Sequence, residues 1–308
     1  MWFKNKYKLV TENPYNKKKL NGLGMIIYDE WNDSFRIIMQ HKGIVHLFLN
    51  YSLGWKCSDY TFLECLPLLN TLEIIDIHSK GIKSIEKQYK LVTLSLNIPN
   101  GYGINYKVFS DLKSVFCYGK KYNASLFSCK SIENLYIDEL KIGDKHAINQ
   151  LINLRELTIA NSNITSLSFL RNLKYLNSLA IINCKRIQSF IDISELNNLL
   201  KLDIRGVNNL HDINFVSWLH NIEIIIIETD FLNSIRPLTN LANLKALALL
   251  GRNFIIEDKD LTPIECLKKL SILNIPNRNC YSMKINNYWN WNDYGKSRNS
   301  WLTRLSSS

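Results

Sequence analysis

A short spacing of apolar residues recurs along most of this chain. In LRELTIANSNITSLSFLRNLKYLNSLAII, apolar residues fill the first, fourth and sixth positions, as in Leu154, Leu157 and Ile159, and the spacing returns from Leu176. The alternation of apolar and polar residues around Thr158 predicts a short strand with one buried face. A turn and a second apolar set follow each strand, so the stretch predicts a repeating strand-and-return unit.

This unit builds most of the chain. Its starts are Leu72, Leu91, Leu112, Ile132, Leu154, Leu176, Leu199, Ile222, Leu244 and Leu270, with steps of 19 to 26 residues. No unit can bury its apolar face alone, so neighbouring units must stack into a continuous core. A step near 22 residues is too short for a long return helix, which predicts 3₁₀ or single-turn helices.

The pattern L-x-x-L-x-L-x-x-N/C-x-L resembles the leucine-rich repeat over about residues 60–280, and ITSLSFLRNLKYL and SIRPLTNLANLKAL are similar to its internalin-like, 22-residue variety. The resemblance implies an α/β solenoid: a horseshoe with a parallel concave sheet and short 3₁₀, helical or irregular convex segments, capped at both ends. The N/C position is filled irregularly, for example by Ser162 and Cys184. We therefore expect uneven repeats and an asparagine ladder that is largely missing.

Three segments are predicted: an N-terminal cap over 1–60, an array of about ten repeats over 61–285, and an aromatic and basic cap or tail over 286–308. GMIIYDEWNDSFRIIMQHKGIVHLFL predicts two or three strands with turns at Asn32–Asp33 and Lys42–Gly43, and the strand from Ile44 is a candidate cap. The rings of YWNWNDYGKSRNSW fit a seal on the last repeat, contact with a partner, or stacking on nucleobases. The sequence leaves these three roles open.

The net charge of +11 is concentrated at the two ends. Residues 1–20 hold six lysines and one glutamate, residues 281–308 hold four basic residues and one aspartate, and the body between them is close to neutral. The chain has no secretory leader pattern and no membrane-spanning apolar run. Seven cysteines without CxxC spacing favour reduced thiols. We expect a soluble cytoplasmic protein.

Candidate chemistry is sparse. The six histidines are scattered and form no paired ligand spacing. Cys184 falls on the repeat's N/C position, Cys117 on a buried strand position and Cys280 on the apolar site after the final turn, while Cys57 has no assigned role. We expect a non-enzymatic protein with no cofactor and no metal, whose function lies on the concave sheet surface.

Strand positions three, five and seven point away from the core, and position eight lies at the rim. This face gathers six carboxylates, two cations and an aromatic cluster. It also carries an apolar patch, which indicates a partner or coverage by the chain's own tail. The patch consists of Ile224, Ile226, Ala246, Ala248, Leu250 and Ile272. The side chains predicted to bind a partner there are Asp76, His78, Phe116, Tyr118, Tyr136, Asp138, Glu139, Glu156, Asp203, Arg205, Ile224, Ile226 and Glu228.

The leading functional hypothesis is a protein-binding module that holds a partner with a basic surface on this face. Intracellular leucine-rich-repeat proteins with irregular repeats are similar to neutralising, immunity-type partners of toxins, and we expect a free monomer that binds no membrane. The acidic face disfavours nucleic acid as a partner. Two alternatives stay open: a nucleic-acid-associated protein that uses its basic termini, and a regulatory scaffold subunit of an intracellular enzyme.

Overall fold

A computed structural model of the chain describes residues 6–57, 59–77, 80–99, 103–119, 122–276, 278–282 and 289–290. These residues fall into two compact units, the first ending at Leu135 and the second beginning at Tyr136. The division lies within strand β7, Asn134–Asp138. The segment boundaries proposed from the sequence stay a prediction.

In the described residues, the first unit is a mostly parallel sheet with one α-helix. Its elements are β1 (Tyr7–Glu12), β2 (Lys19–Ile27), α1 (Asp33–Lys42), β3 (Ile44–Asn50), β4 (Thr71–Ile75), β5 (Thr93–Asn97) and β6 (Ser114–Cys117). Strands β1 and β2 form an antiparallel pair, and every pair from β2 to β6 is parallel and follows chain order. The N-terminal segment therefore extends the repeat sheet.

The prediction for residues 33–42 was wrong, because this segment is a helix instead of a strand between two turns. The side chain of Asn32 accepts a hydrogen bond from the Ser34 N–H and caps the helix, and Gly43 ends it in the left-handed conformation, with φ of 62°. Phe35 and Met39, four residues apart, are both buried on one face. The two capping residues and the four-residue spacing of Phe35 and Met39 therefore favour one helix, although Asn32–Asp33 and Lys42–Gly43 are also typical turn sequences.

The second unit repeats one strand per turn. Its strands are β8 (Glu156–Ala160), β9 (Ser178–Ile182), β10 (Lys201–Arg205), β11 (Ile224–Glu228), β12 (Phe231–Leu232), β13 (Ala246–Leu250), β14 (Ile255–Ile256), β15 (Ile272–Asn274) and β16 (Trp289–Asn290). Strands β8, β9, β10, β11, β13 and β15 pair in parallel in that order, and β16 lies beside β15. Strands β12 and β14 form a small separate pair.

Short 3₁₀ turns return the chain from each strand to the next, as the repeat length predicted. They span Thr61–Cys65, Ile82–Lys87, Tyr106–Val108, Ala124–Ser128, Ile142–Asp144, Ala147–Gln150, Ser168–Asn172, Ile191–Glu195, Asn214–Trp218, Arg236–Leu238 and Thr262–Cys266. In one of them the Leu170 N–H donates to the Leu167 carbonyl at 2.9 Å. The predicted apolar positions form the core, since Leu157 and Ile159 are buried together with Leu179 and Ile181 of the next repeat. The expected solenoid of stacked repeats is confirmed.

One repeat start was misplaced by three residues. Strand β4 pairs Leu72 with Leu94 and Ile74 with Leu96, so the repeat begins at Leu69 instead of Leu72. Leu69 is fully buried, whereas Ile77, which the predicted spacing placed in the core, is 62% exposed. The sequence fits both spacings, but a start at Leu69 also brings the step to Leu91 closer to those of the later repeats.

This register predicts opposite outcomes for two alanine substitutions. Leu69→Ala removes a fully buried side chain and should lower the free energy of unfolding by about 2–5 kcal/mol. Ile77→Ala acts on a mostly exposed side chain and should change it by about 0.5 kcal/mol or less. Urea unfolding of both variants checks this, and a larger loss for Ile77→Ala would restore the misplaced register.

Candidate functional site

The face of the sheet opposite the leucine core, called the outward face below, is set by strand register. In the first unit, one row holds His46, Thr71, Thr93 and Ser114, and the next holds Phe48, Glu73, Ser95 and Phe116. In the second unit, the central row holds Thr158, Ala180, Asp203, Ile226, Ala248 and Asn274. These in-register rows make the outward face a regular array of side chains in each unit.

The chain itself covers part of the outward face of the first unit. Residues 13–18 join β1 to β2 and form what we call the covering loop. Asn13 donates from Nδ2 to Oε1 of Glu73, and the ring of Tyr15 contacts that of Phe48 edge-on, with 6.3 Å between centroids. Phe48 and Glu73 are therefore buried although they point away from the leucine core.

Burial perturbs the titration of Glu73, which lies under the covering loop, and of Tyr15, which belongs to it. It raises the pKa of Glu73 to about 7, because the charged form loses its hydration, and the hydrogen bond from Asn13 opposes the shift. Burial also raises the pKa of Tyr15 to about 12, against a lowering effect of its hydrogen bond with Asn50. The covered part of the face therefore carries an acidic group that titrates near neutral pH.

Asp76 is not one of the exposed side chains of the outward face, and its part in partner binding stays a prediction. With the repeat starting at Leu69, Asp76 follows β4 at position eight, the rim position, but its side chain turns inward and is only 5% exposed. Its Oδ2 accepts hydrogen bonds from Trp55 Nε1 at 3.0 Å and from the Tyr60 hydroxyl at 2.7 Å. His78, the next predicted site residue, lies outside the described residues.

The aromatic residues predicted for the site do point outward. Phe116 on β6 continues the row of Ser95 and is half-buried in the first unit, as is Tyr118 just after that strand. Tyr136 is half-buried in the second unit. Their part in partner binding stays a prediction.

A ladder of polar side chains runs along the rim of the second unit. Asn161 donates from Nδ2 to Oδ1 of Asp138 at 2.7 Å, and Asn183 donates to Oδ1 of Asn161 at 3.1 Å. Glu139, Asn161 and Asn183 all have positive φ, and their N–H groups donate to backbone carbonyls at the end of the following strand. A Cβ at the equivalent Gly206 would lie 2.2 Å from Oδ1 of Asn183, so glycine fits here.

This ladder takes the place of the asparagine ladder that leucine-rich repeats usually have at their N/C position. Its two asparagines, Asn161 and Asn183, lie at position eight of the repeat, one residue before the position where the family usually places asparagine. At position nine, the hydroxyl of Ser162 accepts from the Leu140 N–H at 2.8 Å, and the thiol of Cys184 contacts the Ile182 carbonyl at 3.5 Å. The recurrence of asparagine at equivalent positions was the signal in the sequence that was overlooked.

The charged residues of this face fall into two groups. Asp203 and Arg205 are two residues apart on β10 and form a double contact, with 2.6 Å between Oδ1 and Nε and 2.8 Å between Oδ2 and Nη2. Burial raises the pKa of Asp203, which is 3% exposed, while Arg205 opposes the shift. Glu156 and Glu228 are exposed and have no ion pair among the described residues. The net sign of the face stays negative.

The predicted apolar patch is less exposed than expected. Ile226 is 0% exposed, and Ala246 and Ala248 are also buried, so for these residues the expectation of solvent exposure was wrong. Ile226 lies in register between Asp203 and Ala248. It is buried because the side chains of both adjacent strands shield it from solvent. Ile224 is half-buried, and the predicted tail over 286–308 lies outside the described residues except for β16.

The structure leaves the cysteines as free thiols. Cys117 is buried as expected, but Cys280 is exposed, so its predicted place in an apolar site was wrong. Among the described residues, no three His, Cys, Asp or Glu side chains are grouped as metal ligands. Within the same part of the chain, no helix combines the length and apolar character needed to cross a membrane.

The fold is that of leucine-rich-repeat proteins. The chain is similar to an internalin from Listeria monocytogenes, with 19% identity and a TM-score of 0.53 over 76% of this chain and 81% of that one. It is also similar to a leucine-rich-repeat protein from Leptospira interrogans, with 19% identity and a TM-score of 0.56 over 71% of this chain and 57% of that one. No family model and no curated protein matches the chain. The likeness establishes the fold.

Glu73 predicts a pH-dependent stability. Its pKa in the folded chain lies above the ordinary 4.5, so the folded state binds the proton more tightly than the unfolded state. The resulting contribution is fully present below about pH 4.5 and is lost as the pH rises through about 7, a change of up to about 3 kcal/mol. Glu73→Gln should therefore stabilise the chain at pH 8 and leave it nearly unchanged at pH 4.5, as measured by urea unfolding.

The matched control is Glu12→Gln, which removes an exposed carboxylate from β1 and should be neutral at both pH values. A stability difference for Glu73→Gln that is the same at pH 4.5 and pH 8 would contradict the assignment.

Proposed function

We propose that this chain is a protein-binding module whose second unit holds a partner on its outward face. The regular rows of that face support this proposal best, because parallel strands in register present a rigid surface from successive repeats. A rigid surface loses little conformational entropy on binding.

The partner in this proposal has a basic surface. Four carboxylates of the second unit (Asp138, Glu139, Glu156 and Glu228) stand at its outward face or rim, against one lysine there, Lys201, outside the Asp203–Arg205 pair. Glu156 and Glu228 are the strongest candidates for contact, since both are exposed and neither is used internally. Complementary charge of this kind mainly raises the association rate and selects the partner.

Half-buried apolar side chains supply the anchoring contacts. Tyr136 and Ile224 both point outward and keep part of their surface accessible. Aromatic and aliphatic anchors surrounded by polar residues are typical of the centre of a protein interface. In this arrangement the apolar side chains hold the partner and the carboxylates orient it.

A finer proposal concerns the partner's identity. A basic toxin domain, neutralised in the cytoplasm by this chain as an immunity-type protein, would have the positive surface that complements the exposed carboxylates of Glu156 and Glu228. The free chain in this proposal is a monomer that binds no membrane, which sedimentation at several concentrations and vesicle flotation can check.

Charge reversal on the outward face tests the proposed function. A partner is first captured from the native cell with the full chain and identified by mass spectrometry. Glu156→Lys and Glu228→Lys should then each weaken binding by about tenfold at low salt, mostly through a slower association rate, because like charges now face each other. Glu265→Lys, an equal charge change on a turn of the same unit, is the control.

Surface plasmon resonance at two salt concentrations gives both rates. Equal affinities for the three variants and the unchanged chain would place the interface elsewhere. Asp138 is not chosen, since its substitution would also break the hydrogen bond from Asn161.

The finer proposal predicts that the purified partner is toxic to a cell and that co-expression of this chain restores growth. Rescue should be lost in Glu156→Lys/Glu228→Lys and kept in Glu265→Lys. A partner without toxicity would remove the immunity role and leave the binding role standing.

A further inference from the structure

The first unit contains a solvent-accessible cavity of about 440 Å³ near the ends of β3 and β4. Tyr51, Trp55 and Ile77 supply apolar and aromatic wall, and Glu30 and Asp76 supply carboxylates. Lys56, whose backbone forms a bridge with Glu30, adds one positive charge to the lining. A volume of this size lies within the range of small-molecule sites.

The inner wall of the cavity is held rigidly. Trp55 is nearly fully buried, donates from Nε1 to Oδ2 of Asp76 at 3.0 Å, and contacts Phe62 edge-on with 5.8 Å between ring centroids. The Tyr60 hydroxyl donates to the same oxygen, and the Ile77 N–H donates to Oδ1 at 2.6 Å. These donors fix the Asp76 carboxylate in place, so the wall is ordered before any ligand binds.

The outer wall is accessible. Tyr51 is 49% exposed, and Ile77 is the most exposed of the cavity's apolar side chains. Glu30 is exposed and forms no side-chain hydrogen bond or ion pair within the described residues, so its carboxylate can meet a ligand without losing an internal contact.

The two carboxylates of the lining, Glu30 and Asp76, outnumber its one cation, Lys56. The pKa of the Cys57 thiol on its wall is raised to about 11, first by burial and further by the charges of Asp76, Asp59 and Glu30. The thiol also donates to the Asp59 carbonyl at 2.6 Å and accepts from the Asp59 N–H at 3.3 Å. A raised pKa and these contacts make it a structural group instead of a nucleophile.

We propose that this cavity binds an organic cation, an alkylammonium or alkylguanidinium group. Its charge approaches Glu30 and Asp76, and its apolar stem lies against Tyr51 and Ile77. Aromatic rings together with carboxylates are the combination that recognises such cations, because the ring face and the carboxylate both attract positive charge. An anion would be repelled by the two carboxylates, and a purely apolar ligand would leave charged lining groups desolvated.

The same chemistry has two sources: the arginine or lysine side chain of a protein and a free small amine. This inference goes beyond the proposed function and does not depend on it, since the cavity belongs to the first unit and the proposed partner face to the second. The cation-site proposal and the partner-binding proposal can therefore fail independently.

The test uses the full chain with ¹⁵N-labelled tryptophan and follows the indole N–H of Trp55, assigned with Trp55→Phe. n-Butylguanidinium should shift this resonance in a saturable manner, whereas n-butylurea, its neutral isostere, should not. Glu30→Gln and Tyr51→Ala should each weaken the affinity by about fivefold, as expected for loss of one partly exposed contact to a cation. Glu12→Gln, an exposed carboxylate of the same unit, should leave it unchanged.

Capped Gly-Arg-Gly and its citrulline counterpart distinguish the two sources. Tighter binding of the arginine peptide than of n-butylguanidinium assigns the site to a protein side chain, and equal or weaker binding assigns it to a free amine. Equal shifts with n-butylurea and n-butylguanidinium, or no saturable shift with any cation, would overturn the proposal.

Discussion

The structure depends on the burial of an aliphatic ladder that no single repeat can shield. Leu157, Leu179 and Leu202 lie in register on three successive strands, each covering the apolar surface of the one before. Backbone bonds fix the spacing, as where the Leu200 N–H donates to the Asn177 carbonyl at 2.8 Å. Because side chains alternate along a strand, the register that buries the ladder also decides which residues point outward. Core and candidate site are two consequences of the same pairing.

The ends of such an array need separate solutions, since a terminal strand has unpaired backbone groups and one uncovered apolar side. In the first unit, the β2–α1–β3 segment continues the parallel sheet, and the antiparallel strand β1 becomes its edge. The covering loop then folds over the outward face through Asn13 and Tyr15. The outward face of the first unit is therefore partly occupied by its own chain, whereas Glu156 and Glu228 of the second unit reach solvent.

The acidic side chains show how local surroundings decide the role of a charge. Asp76 is buried among aromatic donors, Glu73 is buried under an amide, and Asp203 is paired with Arg205 on its own strand. Each arrangement offsets the cost of removing a carboxylate from water, by hydrogen bonds or by an opposite charge. Glu156 and Glu228 keep their hydration, which leaves them available to a partner.

The sequence by itself determined the repeat, its short 3₁₀ returns and the apolar positions that build the core. It did so because a period of two within strands and a step near 22 residues between them are local properties of the chain. It also placed Tyr136, Glu156 and Glu228 on the outward side, since one spacing fits each of those repeats.

Only the tertiary structure decided the start at Leu69, because LPLLNTLEIIDI satisfies two spacings and the pairing of β4 with β5 selects one. The covering of Glu73 by Asn13, the inward turn of Asp76 and the shielding of Ile226 were likewise beyond the sequence. Each depends on residues that are distant along the chain or on neighbouring strands, and stacking alone brings them together.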